Sequence, residues 1–118
     1  MSHPTITIFH NPGCGTSRNV LKAIKDVGHE PTVVPYLERG WTLAQLKSLL
    51  KEMNARPRDI LRVKGTNAEE LGLTVDPIAD DDILAAMVKY PILVNRPIVQ
   101  TPKGTKLCRP AEEVAQIL

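Results

Sequence analysis

A short alternating run that ends in a glycine-flanked cysteine and passes straight into a helix constrains this chain more than any other feature. Thr5-Ile-Thr-Ile-Phe-His10 alternates with period two and is rich in β-formers, which predicts a strand. Asn11-Pro12-Gly13 ends it with turn chemistry. Thr16 or Ser17 is placed to cap a helix through Val20, Leu21, Ile24 and Val27, whose spacing defines one helical face, and Gly28 stops it. Thr32-Val-Val-Pro-Tyr36 reads as a second strand, with Pro35 suited to an edge or a strand end. A β-α-β opening implies two parallel strands joined by a right-handed crossover.

The middle of the chain reads as helical. Thr42 and Gln45 have capping-box spacing, and Leu43, Leu46, Leu49, Leu50 and Met53 form the buried stripe that follows. Pro57 opens a short helix holding Ile60 and Leu61. Asp80-Asp81-Asp82 precedes Ile83–Val88 and reads as an acidic helix start, not a metal site, because no other ligand types flank it. Pro91 to Thr101 is β-rich apart from Asn95, Arg96 and Pro97. Lys103-Gly104 then turns the chain into Thr105–Cys108, and Pro110 opens a last helix. The expected fold class is α/β: a four-stranded mixed sheet flanked by helices, with a helical insertion between a β-α-β half and a β-β-α half. Residues 1–118 are expected to form a single domain.

Composition narrows the function. Apolar residues make up 42% of the 118, enough for a core, but aromatics only 3%, which disfavours base stacking on exposed rings. A net charge of +2 is too mild to predict nucleic-acid binding. No apolar run approaches a membrane span, and Met1–Thr5 lacks the basic start of a signal peptide, so a cytoplasmic location is expected. Of the two cysteines, Cys14 and Cys108, neither lies in a CxxC pair, and no Cys/His cluster has zinc spacing.

Chemistry concentrates at Cys14. Thiolates are the reactive form of cysteine and are favoured at helix N-termini and beside cations. Cys14 follows the Asn11-Pro12-Gly13 turn and precedes Gly15-Thr16-Ser17-Arg18 at a helix head, where free N–H groups favour both an anionic sulfur and the oxygens of a tetrahedral anion. Arginine grips such an anion with a planar fork. The candidates are Arg62 after Ile60-Leu61, Arg96 between apolar β segments, and Arg109 in Leu-Cys-Arg-Pro.

Asn11-Pro-x-Cys14-Gly-Thr-Ser-Arg-Asn19, Tyr36-Leu-Glu38, Leu61-Arg62, Tyr90-Pro-Ile-Leu-Val-Asn-Arg-Pro-Ile-Val99 and Thr101-Pro-x-Gly-Thr-x-Leu-Cys-Arg-Pro110 follow one another in order over nearly the whole chain. Together they resemble the glutaredoxin-coupled arsenate reductases, the ArsC family. That resemblance implies a thioredoxin-like fold, with Cys14 as the catalytic cysteine, Arg62, Arg96 and Arg109 as the oxyanion-binding arginines, and Pro97 as a cis-proline beside the site. His10, Asn11, Gly15, Thr16 and Ser17 align with family residues around the cysteine. On this reading Ser17 donates its hydroxyl to the thiolate or caps the helix, and His10 is an auxiliary charge or a packing group.

The resemblance also implies a mechanism. The Cys14 thiolate attacks arsenic in arsenate, glutathione attacks the adduct, and glutaredoxin returns the mixed disulfide to thiol. No bound cofactor or metal is expected; the partners are arsenate, glutathione and glutaredoxin. A lone cysteine fits, since it cannot close a local disulfide and needs an external thiol. Cys108 reads as a strand filler more than a resolving thiol. The alternatives are an Spx-type redox regulator that binds RNA polymerase, against which Ser17 stands where a CxxC would need cysteine, and a reductase-like relative acting on another thiol substrate.

Overall fold

The computed structural model describes residues 5–75 and 78–118; the signal-peptide reading of Met1–Thr5 falls mostly outside them. Contacts divide the chain into two compact units, Met1–Arg39 with Arg96–Leu118, and Gly40–Asn95.

The first unit carries the sheet. Strand β1 (Thr7–His10) leads into helix α1 (Gly15–Asp26), strand β2 (Thr32–Pro35) and a single helical turn, α2 (Tyr36–Arg39). After the second unit come β3 (Ile98–Thr101), β4 (Gly104–Leu107) and a 3-10 helix over Ala111–Ile117. The strand order is β2-β1-β3-β4. β1 and β2 are parallel, with Thr7 opposite Thr32, while β1–β3 and β3–β4 are antiparallel, so the mixed sheet expected from the sequence is present. Pro35, which has no N–H to donate, ends the edge strand β2.

The α1 face buries Val20 and Ile24, one turn apart, against Ile6 and Ile8 of the first strand segment, Val99, Cys108, and Val114 and Ile117 of the last helix. Each such side chain contributes roughly 1.5–3 kcal/mol of apolar burial, and the result fixes the start of α1 relative to the end of β1. The helix stops as the sequence indicates: Gly28 has φ +91° and its N–H donates to Lys25 O, while His29 N–H donates to Ile24 O. Its start differs. The N-cap is Cys14, with extended backbone, and Ser17 lies inside the first turn, buried.

The second unit contains α3 (Leu43–Met53), a 3-10 turn at Pro57–Ile60, α4 (Asp80–Lys89) and a 3-10 turn at Pro91–Leu93. Thr42 caps α3 by accepting from Gln45 N–H at 3.1 Å. Leu46, Leu49 and Leu50 are buried, but Leu43 is 45% exposed: it sits in the first turn and lines an open groove with Ala85 and Val88 of α4. The strand expected from Pro91 is shorter than the apolar run. Pro91 starts a 3-10 turn closed by Val94 N–H to Pro91 O, and Val94 then makes an isolated antiparallel bridge with Leu61. Pro97, which can only accept (its carbonyl takes the Cys108 N–H at 2.9 Å), precedes β3, which begins at Ile98.

Candidate active site

Cys14 is held in the first unit by the β1–α1 junction and by residues that flank the β3–β4 hairpin. Asn11 closes an Asx turn: its Oδ1 accepts from Gly13 N–H at 2.9 Å, and its carbonyl accepts from Cys14 N–H at 3.0 Å. A Cβ on Gly13 would lie 3.3 Å from that Oδ1, tight enough to disturb the turn, whereas one on Gly15 would meet only Arg18 Nη2 at 3.7 Å. Thr16 is half-buried in the first turn of α1. Arg18 braces the loop from the helix, donating from Nη1 to Pro12 O at 2.8 Å. Sequence reasoning passed over this contact, because nothing local ties a helix side chain to a carbonyl six residues back.

Behind the loop, the buried Ser17 hydroxyl accepts from Asn11 N–H at 3.1 Å and shares a 2.6 Å hydrogen bond with His10 Nδ1. Its hydroxyl is thereby engaged away from sulfur. The hydrogen bond that Ser17 gives Cys14 comes from its backbone N–H, not its side chain. Burial, then the charges of Arg18 and Lys25, hold His10 below its usual value, so its imidazole is neutral at neutral pH and braces the loop instead of supplying a charge.

Cys14 as a residue is 8% exposed. Burial alone would raise its pKa. The Ser17 N–H, hydrogen bonds from the Arg96 and Arg109 side chains, and the charge of Arg96 outweigh that and bring it down to about 7. The sulfur is therefore far more readily ionised at neutral pH than an ordinary thiol. Arg109 Nη1 lies 3.6 Å from the sulfur and donates also to Arg96 O at 2.9 Å. Arg96–Pro97 is a cis peptide, and so is Arg109–Pro110, which the sequence did not suggest.

Cys108, one residue from Arg109, has a different chemistry. It is fully buried, its Sγ–H donates to Lys106 O at 3.6 Å, and burial pushes it up to about 12, with Lys106 lowering and Glu113 raising it. It is a protonated core group. Arg62, the remaining candidate, belongs to the second unit, where its N–H donates to Leu93 O at 2.7 Å and its Nε to Lys64 O at 3.1 Å. Among the described residues no cluster of His, Cys, Asp and Glu is suited to a metal, and no helix is long and apolar enough to cross a membrane.

A lowered-pKa cysteine at the head of the helix after β1, on a four-stranded mixed sheet of order β2-β1-β3-β4, defines a thiol-chemistry protein of the thioredoxin-like class. Comparison with known proteins sharpens this. Residues 9–117 match the model of the ArsC family. An arsenate reductase of Synechocystis sp. is 51% identical over 118 residues, covering 100% of this chain and 82% of that protein. An Escherichia coli K12 arsenate reductase is 50% identical over 113 residues, 96% of this chain and 80% of its own length. Among solved structures, an arsenate reductase from Vibrio cholerae superposes with a TM-score of 0.92 at 34% identity, covering 99% of this chain and 100% of that one. This chain belongs to the ArsC family.

Proposed function

We propose that this chain reduces arsenate to arsenite in the cytoplasm, with the Cys14 thiolate as nucleophile and glutathione and glutaredoxin as the source of electrons. The observation that carries the reading is the ionisable Cys14 sulfur with Arg96 and Arg109 donating to it, a nucleophile set beside groups that bind oxyanion oxygens. Arsenate is tetrahedral and anionic; Arg96 and Arg109, together with Arg62 on this reading, hold its oxygens and spread the charge that develops on attack. The α1 N–H groups add to that field. Sulfur bonds to arsenic and one arsenate oxygen leaves as water, its second proton supplied from solvent.

Reduction follows when the glutathione thiolate attacks the Cys14 sulfur of this adduct. A sulfur–sulfur bond forms, the sulfur–arsenic bond breaks with its electron pair left on arsenic, and arsenite departs. Glutaredoxin then attacks the glutathione sulfur of the mixed disulfide and releases Cys14. An external thiol is required because Cys108 is buried and protonated. No resident cofactor or metal enters this sequence.

The test is arsenate-dependent NADPH oxidation in a mixture of the protein, glutathione, glutaredoxin and glutathione reductase, with each component left out in turn. Loss of turnover on omitting glutathione or glutaredoxin is the expected result. Full turnover with thioredoxin and its reductase alone would overturn the proposed electron route.

A further inference from the structure

The arrangement that suits an oxyanion also suits a neutral electrophile whose leaving group is an oxygen anion. Arg109 is fixed beside the Cys14 sulfur by the protein itself: one Nη1 donates to sulfur at 3.6 Å and to Arg96 O at 2.9 Å. Arg96 donates to the same sulfur, and its Nε and Nη1 are buried. Attack of a thiolate on a peroxide bond needs a nucleophilic sulfur together with donors for the oxygen that departs as hydroxide. The His10–Ser17–Asn11 hydrogen bonds and the Asx turn hold that sulfur in place.

We propose that Cys14 also reduces hydrogen peroxide, with Arg109 and Arg96 donating to the departing oxygen and a low-molecular-weight thiol restoring the cysteine. The thiolate attacks one peroxide oxygen, the O–O bond breaks, and its electron pair leaves with the distal oxygen, which takes a proton from solvent to become water. Sulfur is oxidised by two electrons to the sulfenic acid and peroxide is reduced. A first glutathione condenses with the sulfenic acid, releasing water and leaving a mixed disulfide. A second attacks the glutathione sulfur, releasing oxidised glutathione and the Cys14 thiol. Peroxide and two thiols thus become two waters and one disulfide. Cys108 takes no part, since its thiol is fully buried and bonded to Lys106 O.

The experiment compares two reactions of the same sulfur. Oxidation of Cys14 by hydrogen peroxide and its alkylation by iodoacetamide are followed by peptide mass spectrometry on the intact chain, and each rate is divided by the thiolate fraction. Alkylation expels iodide, so it reports nucleophilicity and access without needing a donor to oxygen. The expected result is per-thiolate oxidation at least about tenfold faster than that of free glutathione, falling by about tenfold or more in Arg109→Ala while per-thiolate alkylation changes less than about twofold. If Arg109→Ala does not fold, Arg109→Met, which keeps a long side chain and removes every donor, replaces it with the same expected outcome. Wild-type oxidation no faster than free glutathione overturns the proposal, as does a parallel loss of both reactions in the variant. Arsenate turnover measured on the same preparation separates this failure from a failure of the reductase reading.

Discussion

Arg109 donates through one nitrogen, Nη1, both to the Cys14 sulfur at 3.6 Å and to the Arg96 carbonyl oxygen at 2.9 Å. A side chain from the end of the β3–β4 hairpin is thus tied to the carbonyl of the cis Arg96–Pro97 peptide and to the nucleophile at the head of α1. This shared donor is part of the reason the sulfur ionises near neutrality despite its burial. Arg109→Lys keeps a positive charge but lacks the rigid, planar guanidinium that sets one nitrogen between both acceptors. The Cys14 pKa is expected to rise above about 7, and kcat/KM for arsenate to fall by about tenfold or more. Thiolate absorbance against pH and steady-state kinetics check the two effects separately.

Stability should rise with pH through two groups. The folded pKa of Cys14 is about 7 against an ordinary value of 9.0, so between those values the folded state has lost a proton that the unfolded chain retains. Unfolding takes up that proton, and stability grows as pH rises across this window and is lost as pH falls through about 7. His10, held below 6.5, acts in the same direction at lower pH: the unfolded chain protonates first as the pH drops. Urea unfolding of wild type and Cys14→Ser should diverge as the pH is raised, with a pH-dependent increment in the wild type that the serine variant lacks.

Asn11→Ala removes the acceptor of Gly13 N–H while sparing the Asn11 backbone bonds to Ser17 and Cys14. Loss of one hydrogen bond in a half-buried loop should lower stability by about 1 kcal/mol. The loop that presents Cys14 loses its Asx closure, so iodoacetamide alkylation and arsenate turnover should both slow, by several-fold. Unchanged turnover with lowered stability would limit Asn11 to a role in folding.

Cys108→Val should leave arsenate turnover within about twofold of wild type, because a thiol pushed up to about 12 and fully buried has no thiolate to offer. Cys108→Ala should do the same but unfold more easily, by about 1 kcal/mol, since it leaves a void among Ile6, Ile8, Val20 and Val99. Turnover assays and urea midpoints on the two variants check this. Loss of turnover in both stably folded variants would reinstate Cys108 as a resolving thiol.

Much of this was legible in the chain because local chemistry agrees with the tertiary outcome. The β-forming run Thr5–His10, the Asn11-Pro12-Gly13 turn and the 3.6-residue spacing of Val20 and Ile24 can each be read within a few residues. Yet β1, paired on both sides, buries Ile8, Phe9 and His10 in succession where alternation suggests one buried face. What stayed hidden depends on partners far along the chain. Ser17 has the residue type of a cap, yet its hydroxyl turns to His10 and Asn11, and only its N–H faces the sulfur. The apolar run from Pro91 looks like one strand, but Pro91 opens a 3-10 turn and Pro97 interrupts the run, so Val94 makes only an isolated bridge with Leu61 and the regular strand is Ile98–Thr101. Leu43 has the right periodicity and the wrong neighbourhood, at the mouth of a groove. The approach of Arg109 to Cys14 spans 95 positions and leaves no local trace.

The central claim is that the Cys14 sulfur performs the reduction, and arsenic speciation tests it most directly. Wild type, Cys108→Val and Cys14→Ser are incubated with arsenate, glutathione and glutaredoxin, and arsenite is quantified. Arsenite should form with the first two and stay at the protein-free background with the third. Arsenite produced by Cys14→Ser at the wild-type rate, or none produced by the wild type with any thiol donor, would contradict the account.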